Sequence, residues 1–235
     1  MSVSIASNVL ITGASSGIGA AIAAALAEPM WRLILVGRDE ASLESVAKQA
    51  RRSGAVAEVR TVDLTRDDEL RALREFAPDR LDVLIHSAGT AELGSIDTLD
   101  LDAFDRQLRL NLRAPLLLTQ ALLPKLRQAR GLVVFVNSGS GLRAKAGWGG
   151  YAASKFALRA IADALREEEQ DSGVRVTSLY PGRTDTPMQR AVRRQEGGPY
   201  QADSYLRAEE VARMVAEVVR LPASATVPDL PVRPG

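Results

Sequence analysis

Short apolar runs alternate with longer alanine- and leucine-rich stretches along this 235-residue chain. Because nearly every residue of the short runs is apolar, they predict strands that are buried on both faces of a parallel sheet. The longer stretches predict right-handed crossover helices between the strands. We therefore expect one α/β domain over residues 1–235, with a doubly wound, mostly parallel sheet of about seven strands and helices on both faces. The expected strands lie near 9–11, 33–36, 56–62, 81–85, 132–136, 174–179 and 226–232, and the helices near 18–27, 40–52, 67–76, 101–127 with a break at Pro115, 151–170 and 208–220.

Composition excludes several kinds of catalytic site. The chain has no cysteine, so it has no thiol nucleophile, no thiolate zinc site and no disulfide. Its single histidine, His86, excludes two-histidine metal motifs. His86 ends an apolar run, a position typical of a buried, hydrogen-bonded side chain rather than of a catalyst. We therefore expect no metal site.

The charge balance argues against two classes of partner. Thirty basic and 29 acidic residues give a net charge of +1, which is not typical of a nucleic-acid or membrane-surface binder. No stretch approaches the ~20 apolar residues of a membrane span. Residues 1–9 lack the basic segment and the long apolar run of a signal peptide. We expect a cytoplasmic protein that binds neither nucleic acid nor membranes.

A glycine-rich loop, TGASSGIG at residues 12–19, joins the first predicted strand to the first helix. Gly13 permits a sharp turn, Gly17 lets a pyrophosphate approach the backbone, and Gly19 lets the helix and strand pack closely. The helix N-terminus offers free N–H groups to a phosphate. A purely structural turn is the alternative, but the position within a βαβ unit favours nucleotide binding. We expect cofactor contacts from Gly13, Ser15, Ser16, Gly17, Ile18 and Gly19.

The end of the second predicted strand indicates which nucleotide binds. An acidic residue there would bind the ribose 2′-hydroxyl of NAD, but the chain has Gly37 followed by Arg38. The Arg38 guanidinium can pair with a 2′-phosphate through two hydrogen bonds. NADP is therefore the preferred cofactor, and NAD remains possible. In the alternative interpretation Arg38 is only a solvated residue, and Asp39 caps the helix that follows.

Asp63 and Leu64 follow the third predicted strand. The Asp63 carboxylate can accept a hydrogen bond from the adenine amino group while Leu64 packs on the ring. Asp63 can equally cap a helix that starts near Thr65, and the two roles are compatible.

A tyrosine and a lysine lie four residues apart on one helical face, at Tyr151 and Lys155. An ordinary tyrosine has a pKa near ~10, so it is a poor acid or base at neutral pH. A nearby ammonium lowers that pKa, whereas burial of the phenol raises it. Ser138 follows the fifth predicted strand, and its hydroxyl can hold a substrate carbonyl beside Tyr151. An aromatic ring packed on a lysine stem and a turn serine are the alternative interpretations.

Taken together, these residues resemble the short-chain dehydrogenase/reductase family, which has the Rossmann fold. The similarity runs from about Asn8 to the final strand. It rests on the glycine loop, an Asn–Ser–Tyr–Lys tetrad in family order, and an Ala-Gly and a Pro-Gly pair after the fourth and sixth strands. Ser87 stands where the family usually has Asn. The matched residues beyond the glycine loop are Ala88, Gly89, Asn111, Ser138, Tyr151, Lys155, Pro181, Gly182, Thr184 and Thr186.

The resemblance implies a role for each matched residue. Tyr151 would be the general acid in carbonyl reduction and the base in alcohol oxidation. Lys155 would lower the pKa of Tyr151 and bind the nicotinamide ribose, and Ser138 would orient the carbonyl. Asn111 would hold a water of a proton relay. Cofactor contacts are further implied for Ser87, Ala88, Gly89, Pro181, Gly182, Thr184 and Thr186.

The sequence also suggests residues that would contact the substrate. Leu93, Leu142, Trp148 and Met188 lie beside the matched motifs and are expected to line an apolar pocket. Arg143 and the cluster Arg190, Arg193 and Arg194 either bind an acidic group or form a solvated face. Residues 183–206 have little regular pattern and are either a surface loop or a substrate lid.

Three functions remain open from the sequence. The first is an NADP-dependent carbonyl reductase or alcohol dehydrogenase acting on a small molecule, with a 3-oxoacyl-carrier-protein reductase as its variant. The second is a non-catalytic NADP-binding regulator, which both Tyr151 and Lys155 argue against. The third is an isomerase, dehydratase or epimerase that uses bound nicotinamide. The resemblance also implies a homodimer or homotetramer formed through the helices near 101–127 and 151–170.

Overall fold

The computed structural model describes residues 7–235, and nine strands lie within this range. Seven of them form one sheet in the order β3-β2-β1-β4-β5-β6-β9, and every neighbouring pair is parallel. The other two form a short parallel pair. The strands are β1 (Ser7–Thr12), β2 (Trp31–Gly37), β3 (Val56–Thr61), β4 (Val83–His86), β5 (Leu132–Val136), β6 (Arg175–Pro181), β7 (Thr184–Asp185), β8 (Leu206–Arg207) and β9 (Asp229–Val232).

Helices cover both faces of the main sheet, as the alternating pattern predicts. Along β1, Val9 and Ile11 face one apolar layer and Leu10 faces the other, because successive side chains of a strand point to opposite faces. The predicted doubly wound α/β fold is therefore confirmed. The helices are α1 (Gly17–Ala25), α2 (Glu40–Arg52), α3 (Asp67–Phe76), α4 (Leu101–Leu108), α5 (Ala114–Ala129), α6 (Gly149–Glu168), α7 (Pro187–Gln195) and α8 (Ala208–Arg220).

Local capping explains the start of α2 but not the start of α3. The Asp39 carboxylate accepts a hydrogen bond from the Ser42 N–H at 3.1 Å, so the predicted cap of α2 is confirmed. The predicted cap at Asp63 is wrong. α3 begins at Asp67, and the Asp63 carboxylate instead accepts from the Thr65 N–H at 2.9 Å, closing a turn ahead of the helix.

The long helix expected over 101–127 is divided into two. A π-helical segment, Arg109–Arg113, separates α4 from α5. Pro115 lies in the first turn of α5 and has no N–H to donate to the carbonyl of Asn111, four residues earlier. The break expected at Pro115 therefore falls just before it and takes π-helical form.

The segment expected to be irregular, 183–206, has more order than the sequence indicates. α7 starts after Thr186, whose hydroxyl accepts from the Gln189 N–H at 3.2 Å, and Pro187 occupies its first turn. β7 pairs with β8, so both ends of the segment are held together. The expectation of a surface loop is wrong over α7, because its charged side chains form ion pairs within the segment.

The sheet order places a crevice at the carboxyl ends of β1 and β4. From β1 the chain proceeds outward through β2 and β3, then returns to add β4 on the other side of β1. Such a reversal point is where doubly wound sheets bind ligands. Over residues 7–235 no helix has the length and apolar character needed to cross a membrane. The prediction that residues 1–9 are not a signal peptide falls largely on residues outside the described range.

Candidate active site

A cavity of about 650 Å³ opens at the carboxyl edge of the sheet. Its volume is in the range of pockets that bind small molecules and cofactors. The sequence-predicted residues that the wall does not include are Asn111, Leu93, Leu142, Arg190, Arg193 and Arg194. Those on the wall are Gly13, Ser15, Ser16, Gly17, Ile18, Gly19, Arg38, Asp63, Leu64, Ser87, Ala88, Gly89, Ser138, Arg143, Trp148, Tyr151, Lys155, Pro181, Gly182, Thr184, Thr186 and Met188.

The glycine loop is packed too closely to accommodate larger residues. Gly13 has φ of +66°, and a Cβ placed on it would lie 2.7 Å from backbone atoms of Ala88. A Cβ on Gly19 would lie 2.3 Å from the Gly13 carbonyl oxygen. Because both neighbours are backbone, neither can move away cheaply. The loop therefore leaves backbone, not side chains, exposed to the cavity at the N-terminus of α1.

Arg38 lies at the cavity wall beyond the end of β2. Its guanidinium forms no ion pair with a carboxylate in residues 7–235. The pKa of Asp63 is held below its usual value, first by the backbone and hydroxyl of Thr65 and to a lesser degree by the charge of Arg38. Arg38 is thus close to Asp63 and available to an anion.

Tyr151, Lys155 and Ser138 meet on the wall of the same cavity. Tyr151 and Lys155 are both buried, and the Lys155 ammonium lies 5.9 Å from the centre of the Tyr151 ring. It donates a hydrogen bond to the Val136 carbonyl at 3.1 Å. The Ser138 oxygen accepts from the Ser140 N–H at 3.1 Å, so its own proton is free to be donated into the cavity.

Burial changes the pKa of both titratable groups. It raises the pKa of Tyr151, while the Ser138 hydroxyl facing it works in the opposite direction. Burial lowers the pKa of Lys155 to about 8. The ammonium is therefore still predominantly charged at neutral pH. In the protein alone this cation does not outweigh the effect of burial on Tyr151, contrary to the direction expected from the sequence.

Asn111 lies behind the cavity wall, in the π-helical segment, and its side chain clamps the loop after β4. Its amide oxygen accepts from the Thr90 N–H at 2.9 Å, and its amide nitrogen donates to the Thr90 carbonyl at 2.9 Å. The same nitrogen donates to the Ser154 hydroxyl of α6 at 3.1 Å. These three bonds connect α6 to the loop that carries Gly89.

His86 is a buried residue of the core rather than a titrating group. Its ring stacks on Phe135 with a centroid distance of 5.0 Å, and Nε2 lies 2.9 Å from the Thr119 hydroxyl. Burial lowers its pKa to about 3, so it is neutral at physiological pH. Next to it, the Thr12 hydroxyl accepts from the N–H groups of Ser87 and Ala88 at 3.2 and 3.3 Å. These backbone bonds hold the loop after β4 whatever side chain residue 87 carries.

An apolar wall faces the tyrosine. Trp148 packs edge-on against Tyr151 with a centroid distance of 5.9 Å, and Ala91 and Val192 belong to the same cluster. Met188 reaches the cavity from α7. Leu93 packs on this cluster from outside the cavity, whereas Leu142 is 38% exposed.

A sequence model of the family described as short chain dehydrogenase matches residues 7–197. This range covers β1 to the end of α7 and includes the glycine loop and all four residues of the tetrad. The chain belongs to the short-chain dehydrogenase family.

Members of the family resemble this chain over nearly its whole length. An uncharacterized oxidoreductase of Staphylococcus saprophyticus is 34% identical over 230 residues, covering 96% of each chain. The alcohol dehydrogenase of Thermococcus sibiricus, in complex with 5-hydroxy-NADP, superposes with a TM-score of 0.88 at 27% identity and covers 97% of this chain and 96% of its own. The actinorhodin polyketide ketoreductase with NADPH gives 0.89 at 28% identity over 97% and 96%. This short-chain dehydrogenase is therefore an oxidoreductase of a family that uses NAD(P).

The site of this short-chain dehydrogenase includes residues that sequence reasoning missed. Asn137 donates to the Lys155 carbonyl at 3.1 Å and so joins β5 to α6. Lys145, Arg183 and Arg233 lie on the cavity wall. The rule that ligands bind at the carboxyl ends of strands would have identified Arg233, because it directly follows the last predicted strand.

Proposed function

We propose that this short-chain dehydrogenase is an NADP-dependent carbonyl reductase or alcohol dehydrogenase in which Tyr151 is the general acid and base. One observation carries the proposal. Tyr151, Lys155 and Ser138 lie on the wall of the same cavity as the glycine loop and Arg38. This reaction needs a catalytic acid or base, a cation beside it, a hydroxyl that orients the carbonyl and a nucleotide site. All four lie on this one wall.

The residues present fit a dinucleotide. A Cβ on Gly13 would lie 2.7 Å from backbone atoms of Ala88, and one on Gly17 would lie 3.3 Å from the Thr186 side chain. Glycines therefore keep the backbone open at the N-terminus of α1, where a pyrophosphate is favoured. Arg38 is placed to hold the 2′-phosphate, and Asp63 and Leu64 to hold the adenine. Ser87, Ala88, Gly89, Pro181, Gly182, Thr184 and Thr186 would line the nicotinamide half. When bound, the cofactor donates or accepts the hydride.

The protein's own residues manage the proton and the carbonyl. In reduction, the Tyr151 hydroxyl gives its proton to the developing alkoxide, and in oxidation the phenolate takes the proton from the alcohol. The Ser138 hydroxyl donates to the substrate oxygen and favours the build-up of negative charge there. The Lys155 ammonium stabilises the phenolate, and Asn111 positions Lys155 and Tyr151 through Ser154 of their helix.

The decisive experiment is a panel of aldehydes, ketones and secondary alcohols assayed with both NADPH and NADH. We expect turnover on at least one carbonyl, faster with NADPH, and none from the Tyr151→Phe variant. Tight NADPH binding without turnover across the panel would favour the non-catalytic regulator instead. Conversion of a substrate without net consumption of cofactor would favour the isomerase or epimerase class.

A second candidate is the same chemistry on a 3-oxoacyl group attached to a carrier protein. It is favoured by the similarity to the actinorhodin polyketide ketoreductase, although that enzyme is only 28% identical. Including a 3-oxoacyl thioester and its carrier-bound form in the panel separates the two. A rate gain on the carrier-bound form would select this candidate.

We expect Arg38→Gln to weaken NADPH and leave NADH nearly unchanged. Hydrogen bonds between charged groups contribute about 1.5–3 kcal/mol, so the Kd for NADPH should rise roughly 10-fold to 100-fold. The measurement is fluorescence titration with each cofactor. Arg52→Gln, an exposed arginine of α2 away from the cavity, is the matched control. Equal losses for both cofactors would contradict a role of Arg38 at the 2′-phosphate.

We propose two further roles, a lid because its segment follows the end of β6 and an oligomer because of the family resemblance. Residues 183–206 act as a substrate lid. This role is supported by Gln195 on α7, which donates to the Ala91 carbonyl at 3.0 Å and accepts from the Leu93 N–H at 2.8 Å.

The protein forms a homodimer or homotetramer through α5 and α6. Phe156, 42% exposed on α6 with small residues on either side, supports that face. Light scattering that shows a monomer at micromolar concentration would reject the oligomer.

A further inference from the structure

The cavity wall carries three cations that make no ion pair with any carboxylate in residues 7–235, namely Arg143, Lys145 and Arg233. We call these three residues the cationic rim. The one carboxylate on the wall is Asp63, which follows β3 at one edge of the sheet, whereas Arg233 follows β9 at the other edge. The rim therefore has no acidic residue of the cavity beside it to neutralise its charge.

Arg233 is held directly above the catalytic serine segment. Its Nη1 donates to the Tyr180 carbonyl at 2.5 Å and to the Val232 carbonyl at 3.1 Å. Its Cδ lies 3.5 Å from where a Cβ of Gly182 would be, and its Nη2 lies 3.5 Å from where a Cβ of Gly139 would be. The side chain thus bridges the ends of β6 and β5. Its Nη2, which donates to no protein group in the described range, is left beside Gly139, the residue after Ser138.

Other arginines near the site already have carboxylate partners. Arg183 donates two hydrogen bonds to the Glu196 carboxylate, at 2.9 and 2.7 Å. This pairing lowers the pKa of Glu196 to about 2, although burial acts in the opposite direction. Arg193 pairs with the same carboxylate, and Arg190 pairs with Asp185 at 2.9 Å. The cluster Arg190, Arg193 and Arg194 expected from the sequence is not on the wall, and Arg190 and Arg193 each have a carboxylate partner.

The rim is also remote from the 2′-phosphate that the cofactor would bring. Arg38 follows β2 and Arg233 follows β9, and these strands are five positions apart in the sheet. At about 4.8 Å per strand, the separation is roughly 24 Å. A 2′-phosphate held by Arg38 is therefore out of reach of Arg233. The rim is available to the other molecule in the cavity.

We propose that the cationic rim is an anion subsite, which selects carbonyl substrates with a terminal carboxylate or phosphate. This inference rests on the proposed function. The substrate carbonyl lies at Ser138 and Tyr151, its body packs on Trp148 and Met188, and its anionic end binds Arg233 with Arg143 and Lys145. The substrate class is thus a small oxo-acid or oxo-phosphate rather than a neutral ketone.

The test compares matched substrates that differ only in charge. 4-Oxobutanoate is assayed against its methyl ester, and dihydroxyacetone phosphate against dihydroxyacetone, each with NADPH. We expect kcat/KM to favour the better anionic member by about 10-fold to 100-fold over its neutral partner, and to fall with added salt. The carboxylate and phosphate arms identify which anion the rim takes. Arg233→Gln should remove most of the preference for the anionic member.

A binding measurement keeps the inference separate from the proposed function. Calorimetry on the Tyr151→Phe background with NADP⁺ present compares 4-hydroxybutanoate with its amide, so that no oxidation of the alcohol adds to the heat. We expect the acid to bind at least 10-fold more tightly, and Arg233→Gln or the Arg143→Gln, Lys145→Gln pair to abolish the difference. Arg194→Gln, an exposed arginine of α7 outside the wall, is the matched control and should change nothing. Equal binding of acid and amide overturns the subsite, even if neutral carbonyls are reduced by a mechanism that depends on Tyr151.

Discussion

Replacing Tyr151 by phenylalanine is expected to lower kcat for carbonyl reduction by roughly 10²-fold to 10⁴-fold, the contribution typical of a positioned acid or base. The phenylalanine ring keeps the edge-on contact with Trp148 and the buried position of the tyrosine. Only the hydroxyl that exchanges the proton is lost. The Kd for NADPH should therefore stay within about 3-fold of the wild-type value. Steady-state kinetics and a fluorescence titration measure the two quantities independently.

Tyr180→Phe is the matched control for this experiment. Tyr180 is fully buried on β6, outside the cavity wall, and its hydroxyl has no hydrogen-bond partner within residues 7–235. Removing that hydroxyl leaves packing unchanged and relieves a buried polar group of its desolvation cost. We expect wild-type kcat and equal or greater stability. A Tyr151→Phe variant that retains more than a tenth of wild-type kcat would contradict the general acid role.

The parts of the fold that the sequence predicts well are those set by burial alone. β5 was expected at 132–136 and is found at Leu132–Val136, because a central parallel strand is apolar on both faces. α3 also has the expected bounds, since Asp67 and neighbouring acids begin it and buried leucines recur along one side. These signals are local, so they can be read without knowing which strands are neighbours.

The parts that were missed depend on contacts between distant residues. The π-helical segment forms where Pro115 removes an N–H, but the length of the break follows from the bonds of Asn111 to Thr90 and Ser154. α7 carries few apolar residues, and its order comes from partners such as Asp185 and Glu196 rather than from a hydrophobic face. Neither set of partners is visible from periodicity.

The site divides in the same way. The glycine loop, Arg38 and Ser138 follow strand ends, and Tyr151 and Lys155 share one helical face, so their spacing already places them on one edge of the sheet. The cationic rim joins residues from the ends of β5 and β9, which are separated by nearly 100 positions in the chain. β9 had to be placed beside β6 before Arg233 could be brought over Gly139. The sign of the effect on the Tyr151 pKa also required the depth of burial, which no local pattern gives.

Gly13→Ala is expected to cause the second large effect, a loss of stability together with a loss of cofactor binding. An alanine at φ of +66° costs about 1–2 kcal/mol in backbone strain. Its Cβ would in addition lie 2.7 Å from backbone atoms of Ala88, and overpacking of this kind costs about 1–3 kcal/mol. We therefore expect the free energy of unfolding to fall by about 2–5 kcal/mol. The clash moves the glycine loop away from the loop after β4. The Kd for NADPH should therefore rise at least about 10-fold, which corresponds to a loss of about 1.4 kcal/mol of binding free energy.

The strain and the clash are separated by Gly197→Ala. Gly197 has nearly the same backbone conformation, with φ of +68°, but a Cβ placed on it meets no atom within 4 Å. This control should lose only the 1–2 kcal/mol of backbone strain and keep its affinity for NADPH. Urea denaturation gives the stability of each variant, and a fluorescence titration gives its Kd. If the two variants lost the same free energy, the close approach of Gly13 to Ala88 would not constrain the loop, and the glycine would be needed for its backbone conformation alone.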